Sequence, residues 1–208
     1  MSDPRPRSET GVILAGLSVG LLIALAWVLL SPLLPAQKPV AKLPVAALPP
    51  QSNLSPGFVQ LDATTNLHVT GKAPRIDVAS WRLTIAGKVR KPLSLTFKDL
   101  RRFPRLSTKD PIICTGYFED YARWSGASLA ALLDRAGPDD DAKSLTLVAA
   151  DGYEAVVTLA EARSGYALIA YELEGKAIPV LHGYPVRAAF PGLPGNRWVK
   201  WLVEIRLE

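Results

Sequence analysis

Apolar and polar positions along the 208-residue chain fall into three regimes. From Gly11 to Pro35 almost every residue is apolar and none is charged. About 20 apolar residues cross a bilayer core as a helix, so residues 11–34 are expected to form a single transmembrane anchor behind a polar tail, residues 1–10. A cleaved signal would carry an apolar stretch of only roughly 7–15 residues. Residues 35–57 then repeat proline, at Pro39, Pro44, Pro49, Pro50 and Pro56. Proline at that density favours an extended, semi-rigid linker over a packed core. From 58 to 208 short apolar runs alternate with Gly and Pro turns, in a length sufficient for one well-buried domain.

Within that domain the patterning predicts many strands and few short helices. Trp81 to Ile85 alternates apolar and polar residues and stops at Gly87, as a half-buried strand does. Leu93 to Thr96 reads as extended, and Thr96 is placed to cap a short helix through Phe103, ended by Pro104. Asp110 to Cys114 is a strand candidate. Ser125 and Gly126 read as the entry to a helix from Ala127 to Ala136, with Leu129, Leu132 and Leu133 on one face and Gly137-Pro138 as the stop. Leu145 to Ala149 and Glu154 to Leu159 are strands around an Asp151-Gly152 turn. A helical turn follows from Leu159 to Ser164, then strands from Ala167 to Glu172, Val186 to Phe190 and Trp198 to Leu207. Strands with short inserted helices define an α+β class.

Charge adds two features. Arg5 and Arg7 precede the apolar run, and Lys38 and Lys42 follow it. With the terminal amine, this tips the orientation toward a cytoplasmic N-terminus and a domain on the periplasmic side of a bacterial inner membrane. Arg5-Pro6-Arg7 is not a twin-arginine signal, so three routes stay open: a cytoplasmic domain, export unfolded without cofactor, or a degenerate signal. The stretch 88–105 holds Lys88, Arg90, Lys91, Lys98, Arg101, Arg102 and Arg105 against Asp99 alone. Such a run is either a solvated face or one drawn to anionic lipid or an acidic partner. Its pattern does not suggest nucleic acid as a partner.

Candidate chemistry centres on Cys114, the only cysteine. It is a buried hydrophobe, a nucleophile or a soft metal ligand. A thiol enzyme would draw its base from His68 or His182, the only histidines. Zinc is disfavoured by the lack of a second cysteine or a closely spaced histidine pair. His182-Gly183-Tyr184-Pro185-Val186-Arg187 imposes a turn that feeds a strand and fixes the direction of Arg187. A second Gly/Pro loop, Pro191 to Arg197, soon reaches Lys200. Two basic, Gly-rich loops in succession suggest an anionic ligand.

The ordered set Cys114; Trp124-Ser125-Gly126; Asp151-Gly152-Tyr153; Gly183, Pro185 and Arg187; and Lys200-Trp201 resembles the molybdopterin domain of the sulfite oxidase family. The resemblance covers roughly Trp81 to Leu207 and implies that family's fold of mixed sheets and short helices. It implies a molybdenum–molybdopterin cofactor with Cys114 as metal ligand and catalytic centre. Arg187 and Lys200 would hold the pterin phosphate, with Asn66, His68, Asp151, His182 and Arg197 as further cofactor contacts. It implies oxygen-atom transfer with two electrons exchanged with a membrane cytochrome or quinone-linked subunit. The chain departs from the family in its last loop, Leu193 to Trp198, and in Glu119 and Asp120, whose negative charge counts against sulfite as substrate. The alternative is a module of the same fold that holds no metal and serves a membrane complex.

Overall fold

The computed structural model describes residues 59–208, and the expected tail, anchor and linker lie outside them. Among the described residues no helix is long and apolar enough to cross a membrane. The strands are β1 (Val59–Asp62), β2 (Leu67–Thr70), β3 (Leu83–Gly87), β4 (Leu93–Leu95), β5 (Arg105–Thr108), β6 (Ile112–Cys114) and β7 (Phe118–Asp120). They continue with β8 (Trp124–Ser128), β9 (Ser144–Ala149), β10 (Glu154–Thr158), β11 (Leu168–Leu173), β12 (Lys176–Ala177), β13 (Arg187–Ala189) and β14 (Leu202–Leu207). The helices are α1 (Phe97–Leu100), α2 (Leu129–Ala136) and α3 (Leu159–Ala162), with 3-10 turns at Val180–His182 and Gly195–Arg197.

One five-stranded sheet has the order β10-β9-β14-β3-β4, with β14 and β3 parallel and the other pairs antiparallel. The second has the order β12-β11-β8-β5, with β13 on the same edge of β11 as β12. Two hairpins, β1-β2 and β6-β7, stand apart from both sheets. The core follows from alternation: Leu83 and Ile85 of β3, Leu145 and Leu147 of β9 and Ile205 of β14 are fully buried. Leu129, Leu132 and Leu133 of α2 are fully buried with them. Thr96 and Asp99 form a capping box on α1, and Thr158 and Glu161 repeat it on α3.

The expected elements are largely present, with three changes. Trp124-Ser125-Gly126 does not enter a helix; it belongs to β8, all five residues of which are buried between β11 and β5. Ser128, not Ser125, caps α2, its side chain accepting from the Ala131 amide. Helix α1 ends at Leu100, and Phe103 is reached by a turn. The last strand starts at Leu202, because Trp201 has left-handed backbone geometry at φ 50°.

Gly126 explains why a strand can lie at the centre of the second sheet. A Cβ there would sit 2.0 Å from the Ile169 carbonyl oxygen, backbone that cannot move aside. Gly126→Ala is therefore expected to lower the unfolding free energy by about 1–3 kcal/mol, read as a shifted denaturant midpoint.

Candidate functional site

A cleft of about 370 Å³ opens where the two hairpins, the β9–β10 turn and the 198–201 segment meet. Its first wall is the β6-β7 hairpin. Cys114 pairs with Phe118 and Ile112 with Asp120. Opposed and alternate residues share a face, so all four side chains turn into the cleft. Cys114 is free and half-buried. Burial pushes its thiol pKa up, and the nearby Asp120 carboxylate pushes in the same direction. The thiol is therefore protonated at neutral pH unless a cation replaces the proton.

The β1-β2 hairpin forms the adjoining wall and is tied down at both strands. His68 donates from Nδ1 to Asp120 Oδ1 at 2.8 Å and from its backbone N–H to Oδ2 at 2.6 Å. Its ring stacks on Phe118, with centroids 4.7 Å apart. His182, only 2% exposed, donates from Nε2 to Asp62 Oδ2 at 2.9 Å and lies 2.8 Å from Thr65 Oγ1. Burial pushes the His182 pKa down, the Asp62 bond opposes this, and Arg187 adds to it. Hydrogen bonds from Thr64, with that of His182 behind them, hold the Asp62 carboxyl well below the usual carboxylate range.

The far wall carries two cations. Arg187, 5% exposed, donates from Nη1 to the His182 carbonyl at 3.3 Å and from Nη2 to the Trp198 carbonyl at 2.9 Å. Its guanidinium lies 4.7 Å from the Trp124 ring and 5.8 Å from the Trp198 ring. Its Nε has no partner, and among the described residues it makes no ion pair. Burial lowers its pKa to about 9, so it stays charged at neutral pH. Lys200 donates from Nζ to the carbonyls of Thr70 and Leu181 and lies 4.3 Å from the Trp201 ring. Burial and the Arg187 charge lower its pKa to about 8, against the pull of Asp151. Gly183 lets the two segments meet: at φ 114°, a Cβ there would lie 3.0 Å from the Arg187 Cβ and 3.2 Å from the Lys200 Cα.

The cleft thus gathers Cys114, His68, Asp151, His182, Arg187 and Lys200. It does not gather two other expected contacts. Asn66 is exposed in the β1-β2 turn at φ 57°, and Arg197 turns away to donate from Nη1 to the Val156 carbonyl. Sequence reasoning passed over Phe118, Asp120 as the partner of His68, Thr70, and the Trp124–Trp198 pair around Arg187. The two tryptophans were visible as residues, but nothing in their spacing announces that they flank one arginine. Glu119 alternates with Phe118 and Asp120 and does not line the cleft, so the carboxylate facing Cys114 is Asp120 alone.

These donors fit a cofactor that brings an anion and most of its own metal ligands. Arg187 is buried with no ion pair and an orphaned N–H, and half-buried Lys200 donates only to carbonyls, so an anion that joins them offsets a cost that Asp120 and Asp151 relieve only from a distance. No group of three or more His, Cys, Asp or Glu stands together among the described residues. A metal on Cys114 would take its remaining ligands from the cofactor, as a dithiolene pterin supplies.

A cleft with one soft thiol on one wall and two cations without an ion pair on another, set in a mixed-sheet α+β domain, fits an anionic, metal-bearing cofactor. The profile of the oxidoreductase molybdopterin binding domain matches residues 70–208, and the chain belongs to that family, the sulfite oxidase family of molybdopterin-binding domains. The chain is 31% identical over 157 residues to the uncharacterized oxidoreductase YuiH of Bacillus subtilis, covering 74% of this chain and 76% of that protein. It is 29% identical over 210 residues to sulfite oxidase of Arabidopsis thaliana, covering 83% of this chain and 53% of that protein. The chain spans about half the length of that plant relative, and 37% of the mouse mitochondrial sulfite oxidase. The sulfane dehydrogenase SoxCD from Paracoccus pantotrophus has the same fold, with a TM-score of 0.62 at 23% identity over 85% of this chain and 58% of that chain.

The half-buried Lys200 gives a pH signature in protein without ligand. Its folded pKa, about 8, lies below the roughly 10.4 of an unfolded lysine, so between those values the unfolded state binds more protons. Stability from this group is expected to rise as pH rises from 8 to 10. Lys200→Met removes that rise relative to wild type, measured as the pH dependence of the denaturant midpoint.

Proposed function

We propose that this chain is a membrane-anchored molybdenum-cofactor oxidoreductase that performs two-electron oxygen-atom transfer and exchanges electrons with a membrane redox partner. The observation that carries the reading is the pair of cations without an ion pair, buried Arg187 and half-buried Lys200, in the same cleft as the single thiol Cys114. Family membership supports the cofactor. The uncharged run before Pro35 and the proline-rich linker support the anchor, with the domain on the periplasmic side. The single cysteine precludes a two-cysteine haem-attachment motif, in keeping with electron exchange through a separate redox partner.

In this reading the cofactor supplies the two-electron redox chemistry, and the protein supplies a ligand, charge and orientation. Cys114 would hold the metal as a thiolate, which would offset the burial penalty on its charge. Arg187, with its Nε–H left over, and Lys200 would hold the pterin phosphate. His182 holds Asp62 and thereby the hairpin wall. His68 fixes Asp120 beside the thiol. Asp151 lies close enough to support the Lys200 charge. No cation lies close enough to the thiol to lower its pKa, and the Asp120 carboxylate raises it. That sign favours an uncharged or cationic substrate, such as a sulfoxide, an N-oxide or a thioether, over an oxyanion.

Elemental analysis of the purified full chain from cells that load other molybdoenzymes is expected to give close to one molybdenum per chain. Cys114→Ser is expected to lose it while keeping the wild-type circular dichroism. Wild-type protein without molybdenum would instead mark a cofactor-free module of a membrane complex. In loaded protein, turnover of a neutral sulfoxide or thioether is expected to exceed that of sulfite at least tenfold. A reversal of that order would reject the substrate class and leave the cofactor reading standing.

A further inference from the structure

The basic run from Lys88 to Arg105 takes no part in the cleft. Three of its cations are neutralised: Lys88 by Asp141 at 2.6 Å, Arg102 by Asp99 at 3.1 Å and Arg105 by Glu172 at 2.6 Å. Lys91 and Lys98 have no ion pair among the described residues, and neither has Arg135 at the end of α2. Arg90 reaches only the Pro138 carbonyl, and Arg101 only the Tyr171 ring. A groove of about 390 Å³ runs between these elements, with Leu93, Leu95 and Phe103 on its floor and Lys91, Arg102 and Arg135 at its rim. Asp99 is the only carboxylate in it, and that group is already engaged by the Thr96 cap and Arg102. One side is β4, the last strand of its sheet.

The groove is separate from the cleft: no residue lines both.

We infer that this face rests on an anionic phospholipid surface, with headgroup phosphates at Lys91, Lys98, Arg101 and Arg135. Unpaired cations on long exposed side chains around a shallow apolar floor suit a surface of many anions with hydrocarbon beneath. They suit it better than one small ligand, for which no buried polar group is aimed into the groove. Each basic residue at such a surface contributes roughly fivefold in affinity, and salt screens the effect. The cleft, which shares no lining residue with the groove, then stays open to substrate and redox partner. The inference is independent of whether molybdenum is bound.

The test is hydrogen exchange on the full chain in vesicles of phosphatidylcholine alone and of phosphatidylcholine with phosphatidylglycerol. Amides of residues 91–105 are expected to exchange at least tenfold more slowly in the anionic vesicles, and high salt should remove the difference. The triple variant Lys91→Glu, Lys98→Glu, Arg135→Glu should abolish it, while unchanged exchange in β9 shows that the variant is folded. Equal exchange in both lipids, or slowing that survives in the triple variant, overturns the inference. So does slowing by soluble polyglutamate but not by lipid, which would assign the face to an acidic protein.

Discussion

The site depends on one buried charge without an ion pair. Arg187 sits against the edge-to-face pair Trp124 and Trp198, with two backbone carbonyls as hydrogen-bond partners and Nε left over. A guanidinium can be held this way because its charge is delocalised and its faces stack on aromatics. The arrangement is still unfavourable compared with an arginine paired to a carboxylate. The Arg187 charge also lowers the pKa of Lys200. An anion in the cleft removes both penalties together, so the structure is matched to a ligand more than to its own stability.

Much of the surrounding architecture serves to hold that charge. Gly183 lets the backbone bearing Lys200 approach the start of β13. Trp124 comes from β8, whose glycine permits close packing on β11. Gly195 plays a similar part on the thiol side: a Cβ there would lie 3.0 Å from Ile112 and from the Ile113 carbonyl, beside Cys114. The loop that follows the arginine is therefore seated against the strand that carries the cysteine. Cation and thiol are kept in one cleft by packing of backbone on backbone, which is stiffer than any side-chain contact.

The β1-β2 hairpin lies almost wholly before the stretch matched to the family, 70–208, yet it closes one wall of the cleft. Its attachment uses pairs of long sequence separation: His182 with Asp62 and Asp120 with His68. Both pairs are nearly dry, so loss of either partner would leave a buried polar group unsatisfied. The hairpin is thus as firmly part of the site as the sheets are.

The sequence by itself determined the strand-rich α+β class, most element positions, the single thiol and the two basic loops. Alternation, capping residues and Gly/Pro turns act within a few residues, and so they are legible locally. It also carried the ordered motif set that marks the family. Only the tertiary structure decided that Trp124 to Ser128 is a central strand, since its two hydrogen-bonding edges are taken by β11 and β5, which no local pattern pairs with it. Only the tertiary structure placed Asp120 on His68, put Arg187 against two tryptophans, and turned Asn66 and Arg197 away from the cleft. Side-chain direction and charge pairing are set by which segments pack together, and chain order does not encode that in any local pattern.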